Sequence, residues 1–283
     1  EALAFYAALA AEASDPKSFW RPYLASLPAR SPEPVAWPRE KRLLLEGTAL
    51  GRRVQAARAQ LEREYRALAA AGGVDESAAP LKRVLWARGV HGSRCFPPAL
   101  AAAAGHIEER RSMVVESGGM APPRVTAVGA FTAQDAADGE GGLGCMLPLW
   151  DLLNHRHLHR VSWEAGGGSV RFCAHKEVRA GAQLHNNYGP KPNGELLWAY
   201  GFAVEGNPAD SVEDVTVGCR PTADSGLLDR RLALLRRAGA PHDLRPDGAL
   251  VVGPFSLSLL EPLPAGLCAA LAALGSAEDP GGE

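Results

Sequence analysis

The chain has 283 residues, of which 46% are hydrophobic, and a formal net charge of -2. That length allows one large domain or two small ones around a substantial core, and near-neutrality excludes a global attraction for nucleic acid, so a basic partner must meet a local patch. There is no apolar run of about 18 residues to make a membrane helix, and the acidic opening lacks a basic-then-apolar leader, so the chain reads as intracellular, with cytoplasm, nucleus and chloroplast equally open.

In chain order, Leu3, Tyr6, Ala7, Leu9 and Ala10 recur at helical spacing and predict an opening helix. The abrupt start inside that pattern reads as an N-terminal truncation. Phe19-Trp20-Arg21-Pro22-Tyr23-Leu24 then predicts a packed aromatic group ahead of a break at Leu27-Pro28. Residues 39–71 predict a long helical region, interrupted near Gly47 and Gly51, with Val54, Ala57, Leu61, Tyr65 and Leu68 forming a core-facing stripe. Residues 81–96 predict a buried helix built on Val84, Leu85, Trp86 and Val90 that runs into Ser93-Arg94-Cys95-Phe96.

Between 97 and 144 the alanine runs, Glu108 to Arg111 and paired Gly and Pro residues read as a flexible, partly disordered insertion with room for one strand near Val125 to Phe131. Val161 to Trp163 and Ser169 to Ala174 alternate like a strand pair around Gly166-Gly167-Gly168. Residues 178–184 predict a turn and strand leading to Tyr188. Helices are predicted at 227–239 and 265–274, and the stretch Asp210 to Val215 ahead of them is read as a junction only through the resemblance given below.

Two segments stand apart from this pattern. Residues 146–155 (MLPLWDLLNH) and 187–202 (NYGPKPNGELLWAYGF) set an Asn-His pair, an Asp and two tyrosines among apolar and glycine-rich residues. They resemble the signature pair of the SET-domain protein methyltransferases, in the branch of the Rubisco large-subunit lysine and actin-histidine enzymes. The resemblance rests on Asp151, Asn154 and His155, then Tyr188, Gly189, Asn193, Glu195, Leu196, Tyr200, Gly201 and Phe202, with SRCF at 93–96 as a third element.

The resemblance implies an α+β fold: a SET β-fold of small sheets with a helical insert, followed by a mainly helical C-terminal domain. It implies a SET domain over 1–205 with its insert at about 39–92 and the flexible insertion at about 97–144, then a truncated substrate-binding domain of the Rubisco-methyltransferase type over 206–283. In SET topology the C-terminal segment threads beneath a loop and joins the two signatures. With no G-x-G-x-x-G after a strand, a Rossmann methyltransferase is not supported.

The implied reaction is methyl transfer from S-adenosylmethionine to a lysine on an exposed segment of a non-histone or Rubisco-like protein. A lysine must first lose its proton, and burial beside a sulfonium favours that loss. Tyr188 is the catalytic candidate, its protonated phenol orienting the amine. The resemblance gives cofactor contacts to Asn154, His155 and Arg94, whose planar guanidinium suits a carboxylate. It gives substrate contacts to Arg94, Asp151, Trp163, Tyr188 and Tyr200. Glu195 reads as a helix anchor, and Lys191 as a basic neighbour of Tyr188 or a solvated residue.

The five cysteines at 95, 145, 173, 219 and 268 form no C-x-x-C pair and read as reduced thiols. The HRHLH run at 155–159 invites a zinc reading, but no second ligand cluster accompanies it and no metal is expected. A protein-histidine methyltransferase stays open beside the lysine enzyme. So does a SET pseudoenzyme that binds peptide only, because no glycine-rich cofactor segment precedes Phe19. Neither nucleic acid nor membrane is expected as a partner, and a monomer is.

Overall fold

The computed structural model describes residues 2–97, 100, 112–117, 124–128, 143–166, 168–258 and 261–275, with backbone alone for 112–117 and 124–128. The chain divides into two units, Glu1–Asn207 and Pro208–Glu283, and each is described by itself.

The first unit is organised around α5 (Leu81–Arg94), which buries seven of its residues, from Val84 to His91. Helix α1 (Ala2–Glu12) places Leu3, Ala7 and Ala10 in the same core, joined there by Leu24, Leu27 and Tyr65. Continuous burial of this kind suits a helix that is covered on several sides. α2 (Arg21–Ser26) carries Leu24 into that core. The aromatic pair ahead of it does not follow: Phe19 is 85% exposed and Trp20 49%, and their rings meet each other at 5.2 Å. The helix begins after them and turns only its own residues inward.

A short α3 (Arg39–Arg42) precedes α4 (Ala49–Ala70), which buries Val54 and Tyr65. Thr48 caps α4 by accepting the Gly51 N–H at 2.9 Å. The chain breaks at Gly47, which has φ 79°. Gly51, expected to interrupt the helix, lies instead in its first turn, where an added Cβ would sit 2.0 Å from the Leu45 carbonyl oxygen. Its smallness serves a close approach and not a break.

The β part of this unit consists of small sheets. β1 (Cys95–Phe96) pairs antiparallel with β4 (Cys145–Met146). β2 (Ser112–Ser117), β3 (Arg124–Val128), β6 (Val161–Gly166) and β7 (Ser169–Ala174) form a four-stranded sheet in the order β3-β2-β6-β7. The insertion read as flexible therefore supplies two strands, one of them interior; its remaining residues, apart from 97, 100, 143 and 144 and the β4 strand's neighbours, lie outside the described ones. The strand expected near Val125 to Phe131 corresponds to β3, and β2 went unread. The predicted strand at 178–184 is not formed. Only β8 (His185–Asn186) is extended there, and it pairs in parallel with β5 (Asn154–His155).

Residues 31–37 brace α5 and α6 (Asn193–Tyr200). Glu33 is 3% exposed and meets Arg88 at 2.5 Å, and the Trp37 indole N–H donates to the Pro32 carbonyl at 2.6 Å. Gly201 ends α6 in the left-handed region at φ 77°, where a Cβ would lie 2.4 Å from that same carbonyl oxygen.

In the second unit β9 (Ser211–Cys219), β10 (His242–Leu244) and β11 (Leu250–Ser258) form an antiparallel sheet in the order β10-β11-β9. Helices α7 (Ser225–Arg237) and α8 (Ala265–Gly275) close its core through Leu235, Leu267 and Ala270 on Leu250, Val252 and Phe255. The predicted helices are present, and the stretch read as a junction is the start of β9.

Burial pushes Glu33 up to about 7 against the pull of Arg88. Above the pH at which Glu33 takes up a proton, removing Arg88 strands its charge, so at alkaline pH Arg88→Met should lower unfolding free energy by about 3 kcal/mol, while Glu33→Gln with Arg88→Met should recover most of it. Urea denaturation of the two variants checks this; equal losses would contradict it.

Candidate functional site

The parallel bridge between β5 and β8 pairs Asn154 with His185 and His155 with Asn186. It brings together segments about thirty residues apart, a separation that strand alternation cannot reveal. The backbone of Arg156 extends the contact by donating to the Asn186 carbonyl at 2.8 Å. Asn187 is 2% exposed and holds the turn that follows: its Nδ2 donates to the His159 carbonyl at 3.0 Å and its Oδ1 accepts the Gly189 N–H at 2.9 Å.

Three side chains from distant elements converge on the short turn that feeds this bridge. Tyr23 of α2 donates its hydroxyl to Asp151 Oδ2. Arg94, at the end of α5, donates from Nη1 to the Asp151 carbonyl at 2.6 Å. Tyr188 donates its hydroxyl to the Leu153 carbonyl at 2.8 Å. The turn, Trp150–Leu152, is entered through Leu149 in a positive-φ conformation at 79°. A non-glycine residue held there signals a backbone fixed by its surroundings.

An aromatic group surrounds the Tyr188 ring. Tyr200 stacks on it with centroids 4.6 Å apart, His155 lies at 5.2 Å and Phe202 at 6.4 Å. α6 carries Tyr200 on its last turn, and its start is tied by Asn193, which exchanges two hydrogen bonds with the backbone of Val204 at 2.9 and 3.0 Å. Lys191 pairs with Glu195 across the first turn of α6. Both are thereby engaged in holding the helix start.

Burial raises the proton affinity of the Tyr188 and Tyr200 phenols, so both stay neutral at physiological pH. Asp151 is 6% exposed and is pushed upward by burial, while the Tyr23 hydrogen bond and the Arg94 charge pull it back. Its Oδ1 is buried without a hydrogen-bond partner among the described residues. Burial, then the neighbouring His157 and His185, lower His155 to about 4. Its Nδ1 accepts the Tyr188 N–H at 3.1 Å, so the ring proton sits on Nε2.

Of the residues read from sequence, Arg94, Asp151, His155, Tyr188 and Tyr200 are drawn together around this turn, and Asn154 lies beside them with its side chain exposed. The Trp163 ring meets Phe96 at 5.4 Å in a cluster with Val170 and with Trp150, the first residue of that same turn. Tyr23, Asn187 and Phe202 went unmarked as site residues. Phe202 belongs to the second signature segment, and the consecutive asparagines at 186 and 187 were a local polar signal for Asn187. Among the described residues no group of three or more His, Cys, Asp or Glu is arranged to hold a metal ion, and no helix is long and apolar enough to cross a membrane.

No family model matches the chain. Among curated proteins it is similar to the N-lysine methyltransferase SETD6 of Homo sapiens, 29% identical over 237 residues that cover 81% of this chain and 42% of that protein. It is similar to the protein-lysine N-methyltransferase EFM1 of Saccharomyces cerevisiae, 29% identical over 274 residues, covering 91% of this chain and 44% of that protein. The chain thus spans less than half the length of these relatives. Among solved structures, the SET domain of LSMT bound to lysine and AdoHcy has a TM-score of 0.53 at 18% identity, covering 96% of this chain and 53% of that one. Rubisco LSMT bound to sinefungin and monomethyllysine has a TM-score of 0.54 at 18% identity, with 96% and 52% coverage. The fold is that of a SET domain with small sheets and helices, and the chain's relatives are protein-lysine methyltransferases.

Because the folded value of His155, about 4, lies below its ordinary 6.5, the unfolded chain takes up that proton first. The contribution is complete above the ordinary value and is lost as pH falls from there towards the folded one. The His155 ring resonances should therefore stay constant from neutral pH down to about 5.5, with Nε2 protonated and Nδ1 bare. Nitrogen-detected NMR reads both, and a midpoint near the ordinary histidine value would refute the assignment.

Proposed function

We propose that the chain is the methyl-transferring part of a protein-lysine N-methyltransferase that uses S-adenosylmethionine and takes an exposed lysine-containing segment of a protein as acceptor. The observation that carries this reading is the convergence of Tyr23, Arg94 and Tyr188 on Asp151–Leu153 beside the β5–β8 bridge, within a SET fold. The lysine-methyltransferase names of the relatives support the acceptor and the AdoMet-type ligands of the structural neighbours support the cofactor.

The residues present suit that cofactor by their chemistry. The exposed Asn154 amide offers both donors and acceptors, His155 is a neutral ring, and Arg94 is a planar cation for a carboxylate. When bound, S-adenosylmethionine supplies an electrophilic methyl carbon that an uncharged nitrogen can approach in line with the departing sulfur.

The chain's own residues do the remainder. Tyr188 commits its hydroxyl proton to the Leu153 carbonyl, so its oxygen lone pairs face outward as acceptors for an amine N–H. A phenol that is neutral adds no charge to compete with the nitrogen. The stacked Tyr200 and the Phe202 ring wall the site and exclude water, which favours the uncharged form of an entering lysine. Arg94 fixes the Asp151 carbonyl, and with it the direction of the turn into Asn154 and His155. His155 holds the Tyr188 backbone through Nδ1, which links the cofactor-side and acceptor-side residues.

Incubating the protein with labelled S-adenosylmethionine and a cell extract, followed by mass spectrometry of the methylated proteins, tests the reading. Methyllysine is the expected product; 3-methylhistidine would give the site to the histidine reaction, and cofactor-independent peptide binding without transfer would mark a pseudoenzyme. Tyr188→Phe should reduce turnover by about a hundredfold or more while leaving cofactor affinity unchanged in calorimetry. Unchanged turnover would remove Tyr188 from catalysis.

A further inference from the structure

Asp151 is a buried carboxylate with an uneven environment. One oxygen, Oδ2, accepts from Tyr23, while Oδ1 is buried and has no hydrogen-bond partner among the described residues. An unsatisfied buried carboxylate oxygen is costly, typically by more than the net value of an ordinary hydrogen bond. The groups that face it are the Tyr23 hydroxyl from α2, the Arg94 guanidinium from α5, the Tyr188 phenol from the segment after β8, and the backbone N–H groups of its own turn. The single full positive charge among them is Arg94, and its Nη1 is directed to the Asp151 carbonyl.

Tyr23 is held firmly enough to orient a partner. Pro22 opens α2, the adjacent Leu24 is buried in the helical core, and the Trp86 indole N–H binds the Pro28 carbonyl just beyond the helix at 2.7 Å. A side chain whose own position is locked by packing can preorganise the group it binds.

We propose that Tyr23 is a positioning residue of the acceptor site, which holds Asp151 by Oδ2 and thereby presents Oδ1 to the ammonium group of an incoming lysine. The inference rests on the lysine-methyltransferase reading above. Asp151 receives the acceptor in its charged form, ahead of the deprotonation that transfer needs. The site thus takes a protonated primary amine by a charge-assisted hydrogen bond. Tyr23 touches neither the acceptor nor the cofactor and acts through Asp151 alone.

The test compares the protein with Tyr23→Phe, which keeps the ring and its packing, and with Asp151→Asn alone and combined with Tyr23→Phe. Loss of a hydrogen bond to the charged carboxylate makes it easier to protonate, so the Asp151 13Cγ titration should move to higher pH in Tyr23→Phe. At neutral pH the KM for a lysine peptide should rise about tenfold, with kcat at saturating peptide and cofactor affinity unchanged. The KM difference should shrink at alkaline pH, and Tyr23→Phe should have no further effect in the Asp151→Asn background. An unmoved Asp151 titration would overturn the proposal, as would a loss confined to kcat, a KM change independent of pH, or an effect that survives Asp151→Asn. If the unaltered protein methylates nothing, the functional reading fails, and the Asp151 titration with calorimetry of the lysine peptide still decides whether Tyr23 prepares a cation site.

Discussion

The structure of the site depends on satisfying one three-residue turn. Trp150–Leu152 and the Leu153 that follows it present the Asp151 carboxylate and the Asp151 and Leu153 carbonyls, and polar groups shielded from water need donors. They find them in Tyr23, Arg94 and Tyr188, which lie 128, 57 and 35 residues away in sequence. Each donor sits on an element anchored for an independent reason: α2 and α5 by the helical core, and Tyr188 by the β5–β8 bridge and the Asn187 turn. The polar contacts therefore inherit their geometry from apolar packing.

That dependence gives the helical part of the first unit a role in chemistry. α5 is buried along most of its length and delivers Arg94 from its last turn into the site. The segment 31–37 joins the same helix through Glu33 and Arg88 and receives Gly201, where α6 ends one residue after Tyr200. A Cβ at that glycine would meet the Pro32 carbonyl, so the backbone of the aromatic enclosure comes as close to the brace as atoms allow. The strain at Leu149 belongs to the same picture: a backbone held in a rare conformation by contacts at its far end.

The electrostatics divide the site into two halves. On one side burial keeps Tyr188, Tyr200 and His155 uncharged. On the other side Asp151 and Arg94 retain polar and charged character close to the same turn.

What the sequence by itself determined was local. Helical periodicity marked α1, α4, α5, α7 and α8 and alternation marked β6 and β7, because those patterns reflect burial on one face of one element; the roles of Asp151, Asn154, His155, Tyr188 and Tyr200 came from the resemblance of the two signature segments to the SET methyltransferases. The tertiary structure alone decided which distant residues meet. Tyr23 looks like one more aromatic in an apolar stretch, and the insertion's two strands gain their meaning only when β3 pairs with β2 and β2 with β6. Periodicity carries no record of long-range donors and acceptors; these are matched only when the core has closed and every buried polar group must be satisfied.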